Sequence, residues 1–527
     1  MTDQEARIEE LEFEIQKRDN TILLQQNKID ELTRKVENLT EMILQMRHDK
    51  FGPSSERTKA EENPDDEQLC FFNEAEVEQD PEAEEPVKQD PKGRIRKKKS
   101  KRKEMIIGDI PVEEVLLEID DDRLKCPCCS NMLKPVGKEF VREEIRYIPA
   151  SIKLLRYMRM TYGCPKCKNT DHPYMVKPKA PTSVLSHSAA SPSSVAWVMY
   201  QKYGNALPLY RQEEEWERMG IKLSRATMAN WVIRCSDDYF DPLMKYLRKN
   251  LLSRDVLHAD ETPVQVLRED GKPAESKSYM WLYRTGNDGR APIILYDYRP
   301  SRSGENAEEY LEGFHGYLHS DGYSGYNRLT DVTRCGCWAH LRRKFVEAIP
   351  KGKASGGNGT NAEIGRDYCD RLFRIEEELK DLSPEDRKEE RLGREKPVLE
   401  AFWSWLDTLA PLRGSALAKA VLYALNQKPY MENYLLDGRC SISNNTAENA
   451  IRPFVMGRKN WLFSDTPKGA TASARVYSLI ETAKANGLDP FSYLSILLMY
   501  MPDWDRTDEQ LERLMPWSDF VRQQCSK

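Results

Sequence analysis

The chain has 527 residues, 31 % of them charged and 39 % hydrophobic, with a mean hydropathy of -0.71. No run of 18 apolar residues occurs, and the opening MTDQEARIEE lacks the apolar stretch of a secretion signal. These features argue against a membrane protein and predict a soluble, cytoplasmic chain of three or four domains. The formal charge of -6 is unevenly placed: residues 57–91 hold thirteen acids against three bases, which leaves +4 elsewhere, and nine Lys and Arg crowd into Lys92–Lys103. A net acidic total is therefore compatible with a nucleic-acid partner.

The N-terminal segment, residues 1–50, repeats in sevens. Ile8, Ile15, Ile22, Ile29, Val36 and Ile43 fill one heptad position, and Leu11, Leu32, Leu39 and Met46 fill its companion. β-branched residues at the first with leucine at the second favour a parallel two-stranded coiled coil, hence a homodimer. Arg18 and Gln25 interrupt the seam, and FGPSSER ends the helix. Residues 51–105 read as a disordered linker, acidic and then basic. The basic run serves either as a solvated tether or as a clamp on DNA phosphates.

Residues 106–178 carry Cys126-x-x-Cys129 and Cys164-x-x-Cys167 around 34 residues of strand-like sequence. Paired thiolates at this spacing predict a structural Zn²⁺ site in a zinc-ribbon-like, DNA-binding domain. Cys128 is a spare thiol in the count, and His172 is a rival ligand. Across residues 190–248 a helix breaks at Gly220 and a second helix opens at Ser224, a helix-turn-helix outline. It places Arg225, Thr227 and Asn230 on one side of the second helix, towards DNA; a plain two-helix hairpin is the bland alternative.

From residue 255 the pattern turns to strands. VLHADETPVQVL alternates around Asp260, GYLHSDGY ends on Asp321, and SNNTAENAIRPFVMGRKNWLF opens a helix with Glu448 in its first turns after an Asn-rich cap. Between the first two lie SYMWLYRTG, APIILYDYRP and the helical ENAEEYLEGF. A fifth strand is expected near RCGCWAH, running into the basic helix HLRRKFVEA. The order predicts a ribonuclease-H-like mixed α/β core in two parts, residues 255–345 and 441–488, split by a helical insertion (346–440) and followed by a C-terminal helical segment (489–527). The loop GKASGGNGT lacks the spacing of a phosphate-cradling P-loop. Three carboxylates on two strands and a helix suit two hard divalent cations, Mg²⁺ or Mn²⁺, and phosphodiester chemistry. Glu261 alternates to the opposite strand face and reads, with Asp255 and Asp465, as a bland acid.

In this order, the blocks FGPSSER, the cysteine knuckles, LPLYRQE, LSRATMANWV, HADETPVQV, SDGYSGYN, CWAHLRRKF, NNTAENAIRPFVMGRKNWLF and LMPW resemble transposases of the insertion-sequence-66 family, a branch of the DDE transposases. The resemblance implies a DNA transposase that cleaves at insertion-sequence ends and transfers strands into target DNA. Asp260, Asp321 and Glu448 would be its metal-binding catalytic acids. Arg342, Arg343, Arg452, Arg458 and Lys459 would lie near phosphates, and Trp461 would either stack on a base or pack in the core. His340 would touch DNA or pack. The expected partners are double-stranded DNA, a second copy of the chain, and small accessory proteins of the same element that no residue identifies. A structure-specific nuclease of the same fold, or a transposase-derived DNA-binding regulator, is the competing reading.

Overall fold

A computed structural model describes residues 14–26, 28–29, 36, 152–158, 162–163, 175–176, 181–350 and 360–525. The chain falls into two compact units, residues 55–156 and the remainder. Of the first, only residues 152–156 are described. The acidic and basic linker and the cysteines at 126, 129, 164 and 167 lie outside the described residues. Beside the second knuckle, Tyr162–Gly163 pairs antiparallel with Met175–Val176. Residues 14–26 are helical, and the heptad residues Ile15 and Ile22 are 58 % and 61 % exposed.

A helical layer precedes the sheet. It comprises α1 (Pro192–Met199), α2 (Leu209–Arg218), α3 (Arg225–Cys235) and α4 (Asp241–Leu252). The turn between α2 and α3 passes through Gly220 at φ 87°, a conformation that costs glycine little. Ser224 then caps α3 by accepting the Thr227 N–H at 3.1 Å. Met228, Trp231, Val232 and Cys235 of α3 are buried, while Arg225 and Asn230 face solvent and Thr227 is half-buried.

The sheet is built from β1 (Val256–Gln265), β2 (Lys277–Thr285), β3 (Ile294–Arg299), β4 (Tyr317–His319) and β5 (Thr333–Cys335). Its order is β3-β2-β1-β4-β5. The first three strands are antiparallel neighbours; β1–β4 and β4–β5 are parallel. The parallel step follows the crossover through α5 (Gly304–Tyr310). β1 pairs with β4 only over residues 256–258, and its far end opens on that side. Pro263 is tolerated in a central strand because it falls in the opened stretch. The β3 edge is closed by hydroxyls of a later helix, α12 (Pro467–Ala485): Ser478 Oγ accepts the Tyr296 N–H at 2.8 Å, and Thr482 Oγ1 bonds both the N–H and the carbonyl of Ile294.

After β5 come α6 (Trp338–Ala348), α7 (Asn361–Leu379), α8 (Pro384–Arg394), α9 (Lys396–Asp407) and α10 (Ala416–Met431). Trp338, Phe345, Leu372, Phe402 and Trp403 give these helices a core of their own. The chain then returns to the sheet through α11 (Asn445–Trp461) and α12, and ends in α13 (Pro490–Tyr500), α14 (Asp508–Arg513) and α15 (Asp519–Cys525). Among the described residues no helix is long and apolar enough to cross a membrane.

Candidate active site

His258 of β1 and His319 of β4 are register partners, and their rings stack with centroids 4.4 Å apart. Asp260 and Asp321 lie two residues further along each strand direction, Asp260 still within β1 and Asp321 just past the end of β4, so they stand at the same level. The third acid is brought in by Asn444. Its side chain donates to the Ala259 carbonyl at 2.8 Å and meets His258 Nδ1 at 3.0 Å, while its backbone N–H donates to Cys337 Sγ at 3.2 Å. The Asn-rich cap predicted here is therefore an anchor. Asn444 stands at the N-cap position but its side chain makes no capping bond, because the buried strand carbonyl and imidazole claim it. One turn on, Glu448 faces the strand ends.

The acids feel one another. The Asp260 carboxyl is held well above the ordinary carboxylate range, first by burial and then by the charges of Glu261, Asp321 and Glu448, against a hydrogen bond from the Glu261 N–H that pulls it down. Glu448 is flanked by two cationic groups, His340 Nδ1 and Arg343 Nη2, each 3.5 Å from one of its oxygens. Burial works to lower the His340 pKa, but the Cys337 thiol and the Glu448 and Asp321 carboxylates outweigh it and carry it to about 9. Cys337, His340 and Glu448 form one cluster of potential ligand atoms. Glu448 Oε1 and His340 Nδ1 are buried atoms without a hydrogen bond. Crowded carboxylates with an unsatisfied buried oxygen are the donor set that a hard divalent cation relieves, so these residues fit such a group.

A second donor cluster, His319, Cys335 and Cys440, lies close by and is fully buried. The Ser441 N–H donates to His319 Nε2 at 3.3 Å, which leaves the ring proton on Nδ1 and no lone pair there for a metal. The two thiols are free and hydrogen-bonded to one another. This cluster packs the returning chain onto β4 and β5.

The basic residues divide by role. Arg342 is tied to Asp370 on α7, and Arg458 is bonded to the Pro263 carbonyl and Thr262 Oγ1, so both are engaged within the fold. Arg343 stands at the acids; Arg452 and Lys459 are exposed on α11. Trp461 packs edge-on to Tyr203 with Lys202 Nζ 3.9 Å above its ring, so one of its faces is already covered. Asp465 and Asp255 form ion pairs with Arg268 and Arg439. Glu261 differs from both. Its side chain is 1 % exposed and is held by Arg302 and by the Tyr326 hydroxyl. Burial and the Asp321 charge push its pKa to about 7, while those two partners pull it down. Glu261 does point away from the α11 side, where His258 and Thr262 make their contacts, but it is not a solvated acid.

A profile described as "Transposase IS66 family" matches residues 187–472, more than half the chain. "Zinc-finger binding domain of transposase IS66" matches residues 124–168, "IS66 C-terminal element" matches 478–517, and "Transposase C of IS166 homeodomain" matches 38–115. The chain belongs to the IS66 transposase family. It is 28 % identical over 511 residues to "Uncharacterized protein y4qI" of Sinorhizobium fredii, covering 92 % of this chain and 89 % of that one. It is 30 % identical over 427 residues to "Uncharacterized protein y4jD" of the same organism, covering 78 % and 80 %. A solved structure, "Drosophila P element transposase strand transfer complex", aligns with 57 % of this chain and 80 % of its own at 13 % identity; the TM-score of 0.23 is too low to carry an argument.

Proposed function

We propose that the protein cleaves the ends of its element and joins them to target DNA at a site formed by Asp260, Asp321 and Glu448, on a core of ribonuclease-H-like type. The observation that carries this reading is the convergence of the three acids from β1, the end of β4 and the first turn of α11, where burial first and then the charges of Glu261, Asp321 and Glu448 raise Asp260. The sheet order, three antiparallel strands and then two parallel ones, supports the fold assignment. Asp260, Asp321 and Glu448 would hold Mg²⁺ or Mn²⁺, which when bound supplies charge stabilisation at the attacking and leaving oxygens. Arg343, 3.5 Å from Glu448, steadies that acid and adds positive charge beside a scissile phosphate. Arg452 and Lys459 offer exposed charge to the DNA backbone. Arg225, Thr227 and Asn230 on α3 would reach base edges, and Cys126, Cys129, Cys164 and Cys167 would hold the zinc of the finger domain.

The test is a strand-transfer assay with duplexes carrying the element's own ends and Mg²⁺. The wild-type chain is expected to cut and to join, and Asp260→Asn to do neither while still shifting the ends in a gel. Cutting without joining would favour a nuclease, and binding without either a regulator. Substantial activity in Asp260→Asn would remove the acid from the site.

A further inference from the structure

Asp260 and Asp321 sit on separate segments, and one side chain links those segments from the other strand face. Glu261 Oε1 accepts from Arg302 Nε at 2.9 Å and Nη2 at 2.6 Å, and its Oε2 accepts from Tyr326 Oη at 2.6 Å. Both carboxylate oxygens are thus occupied. Each partner reaches the Asp321 loop. Tyr326 belongs to the short 3₁₀ turn Ser324–Arg328 directly after that acid. The Arg302 guanidinium lies over the Tyr323 ring, 4.1 Å from its centroid, and the Tyr323 hydroxyl donates to the Arg302 carbonyl. The Tyr323 N–H in turn donates to Asp321 Oδ1 at 2.9 Å. At the near end, the Glu261 N–H donates to Asp260 Oδ1 at 2.8 Å. Tyr326 is fixed edge-on against Trp281, the register partner of Glu261 on β2. Gly304 lets α5 begin against the Gly325 carbonyl, where a Cβ would collide.

We infer that Glu261, with Arg302 and Tyr326, is a positioning clamp that sets the separation of the Asp260 and Asp321 carboxylates for the divalent cations. A continuous chain of bonds runs from one acid to the other: Asp260 to the Glu261 backbone, through its carboxylate to Tyr326 and Arg302, through Tyr323 to Asp321. A metal site tolerates misplacement poorly, and groups that orient the ligands control affinity nearly as strongly as the ligands do. Glu261 points to the other strand face, and although its charge also acts on Asp260, its positioning effect is transmitted through the two segments and is read without that charge effect in Tyr326→Phe. The inference rests on the metal-site reading above.

The experiment is Mn²⁺ binding to the full-length, DNA-free chain, followed by the electron-paramagnetic-resonance signal of free Mn²⁺, with Asp260→Asn as the baseline and the melting temperature recorded for each variant. Tyr326→Phe, which keeps the ring in its aromatic pocket, and Glu261→Ala are expected to weaken the Asp260-dependent binding about 10- to 100-fold. Glu261→Gln, which still accepts the Tyr326 hydroxyl but sets an amide N–H against the Arg302 donors, should recover only part of that loss. If Glu261→Ala does not fold, Tyr326→Phe carries the test. Wild-type affinity in Tyr326→Phe would overturn the clamp and leave Glu261 a structural ion pair. Mn²⁺ binding that persists unchanged in Asp260→Asn would instead overturn the metal-site reading on which the clamp depends.

Discussion

At the scale of single residues, Asn444 does the most with one side chain. It is 1 % exposed, and because its amide nitrogen donates to the Ala259 carbonyl, its oxygen must be the acceptor for His258 Nδ1–H. Burial pushes the His258 pKa down to about 4, so the ring is neutral and this tautomer persists at physiological pH. Asn444→Ala strands a buried carbonyl and a buried N–H, at a cost of about 1–3 kcal/mol in stability by denaturant titration, with a larger loss of cleavage because α11 loses its register on β1. Asn444→Asp should fail similarly, since a carboxylate has no proton to give Ala259. The residue scale is also where the sequence was least legible. Asp260, Asp321 and Glu448 could be picked out because each sits in an apolar or cap pattern that an acid interrupts. Glu261 looked bland because alternation fixes only its strand face. Its partners Arg302 and Tyr326 lie 41 and 65 positions away, and no local pattern links them.

At the scale of elements, the helices between α6 and α11 illustrate a different limit. KEERLGREK reads as a solvated charge run, but Arg391 and Glu395 are wholly buried. Arg391 joins Glu376 to the carbonyls of Tyr434, Asp437 and Cys440, tying α7 and α8 to the segment that leads into α11. Periodicity marks an amphipathic face; it does not say that a charge will cross it to reach a partner. Beside that arginine, burial and the Glu376 charge push the Glu395 pKa from 4.5 to about 8, against a hydrogen bond from the Tyr434 hydroxyl and the charge of Arg391. The folded chain therefore binds this proton more tightly than the unfolded one. The resulting stabilisation is complete below 4.5 and is lost as pH rises through about 8. Glu395→Gln is expected to flatten the fall in melting temperature between those limits and to raise it at the alkaline end. A wild-type slope in that variant would assign the titration to another group.

For the whole molecule, the heptads of residues 1–50 would supply a self-complementary seam, and its Ile15 and Ile22 are exposed. Joining two DNA ends calls for two copies of one site, and a parallel coil would provide them. Deleting residues 1–50 should leave the sheet folded and the zinc in place, yet weaken paired-end assembly, as judged by light scattering and a gel shift with two ends. Unchanged assembly would place dimerisation elsewhere in the chain.

The hydroxyl cover on β3 also has a consequence in time. Ser478 and Thr482 are made 182 and 188 positions after the strand residues they bond. At roughly 5–20 residues per second, a ribosome leaves that strand edge bare for about 10–40 s. For the whole of that interval the nascent sheet is an open template for other chains, and Glu448 is absent until late in it. A message truncated before α11 would therefore yield a sticky fragment that lacks Glu448.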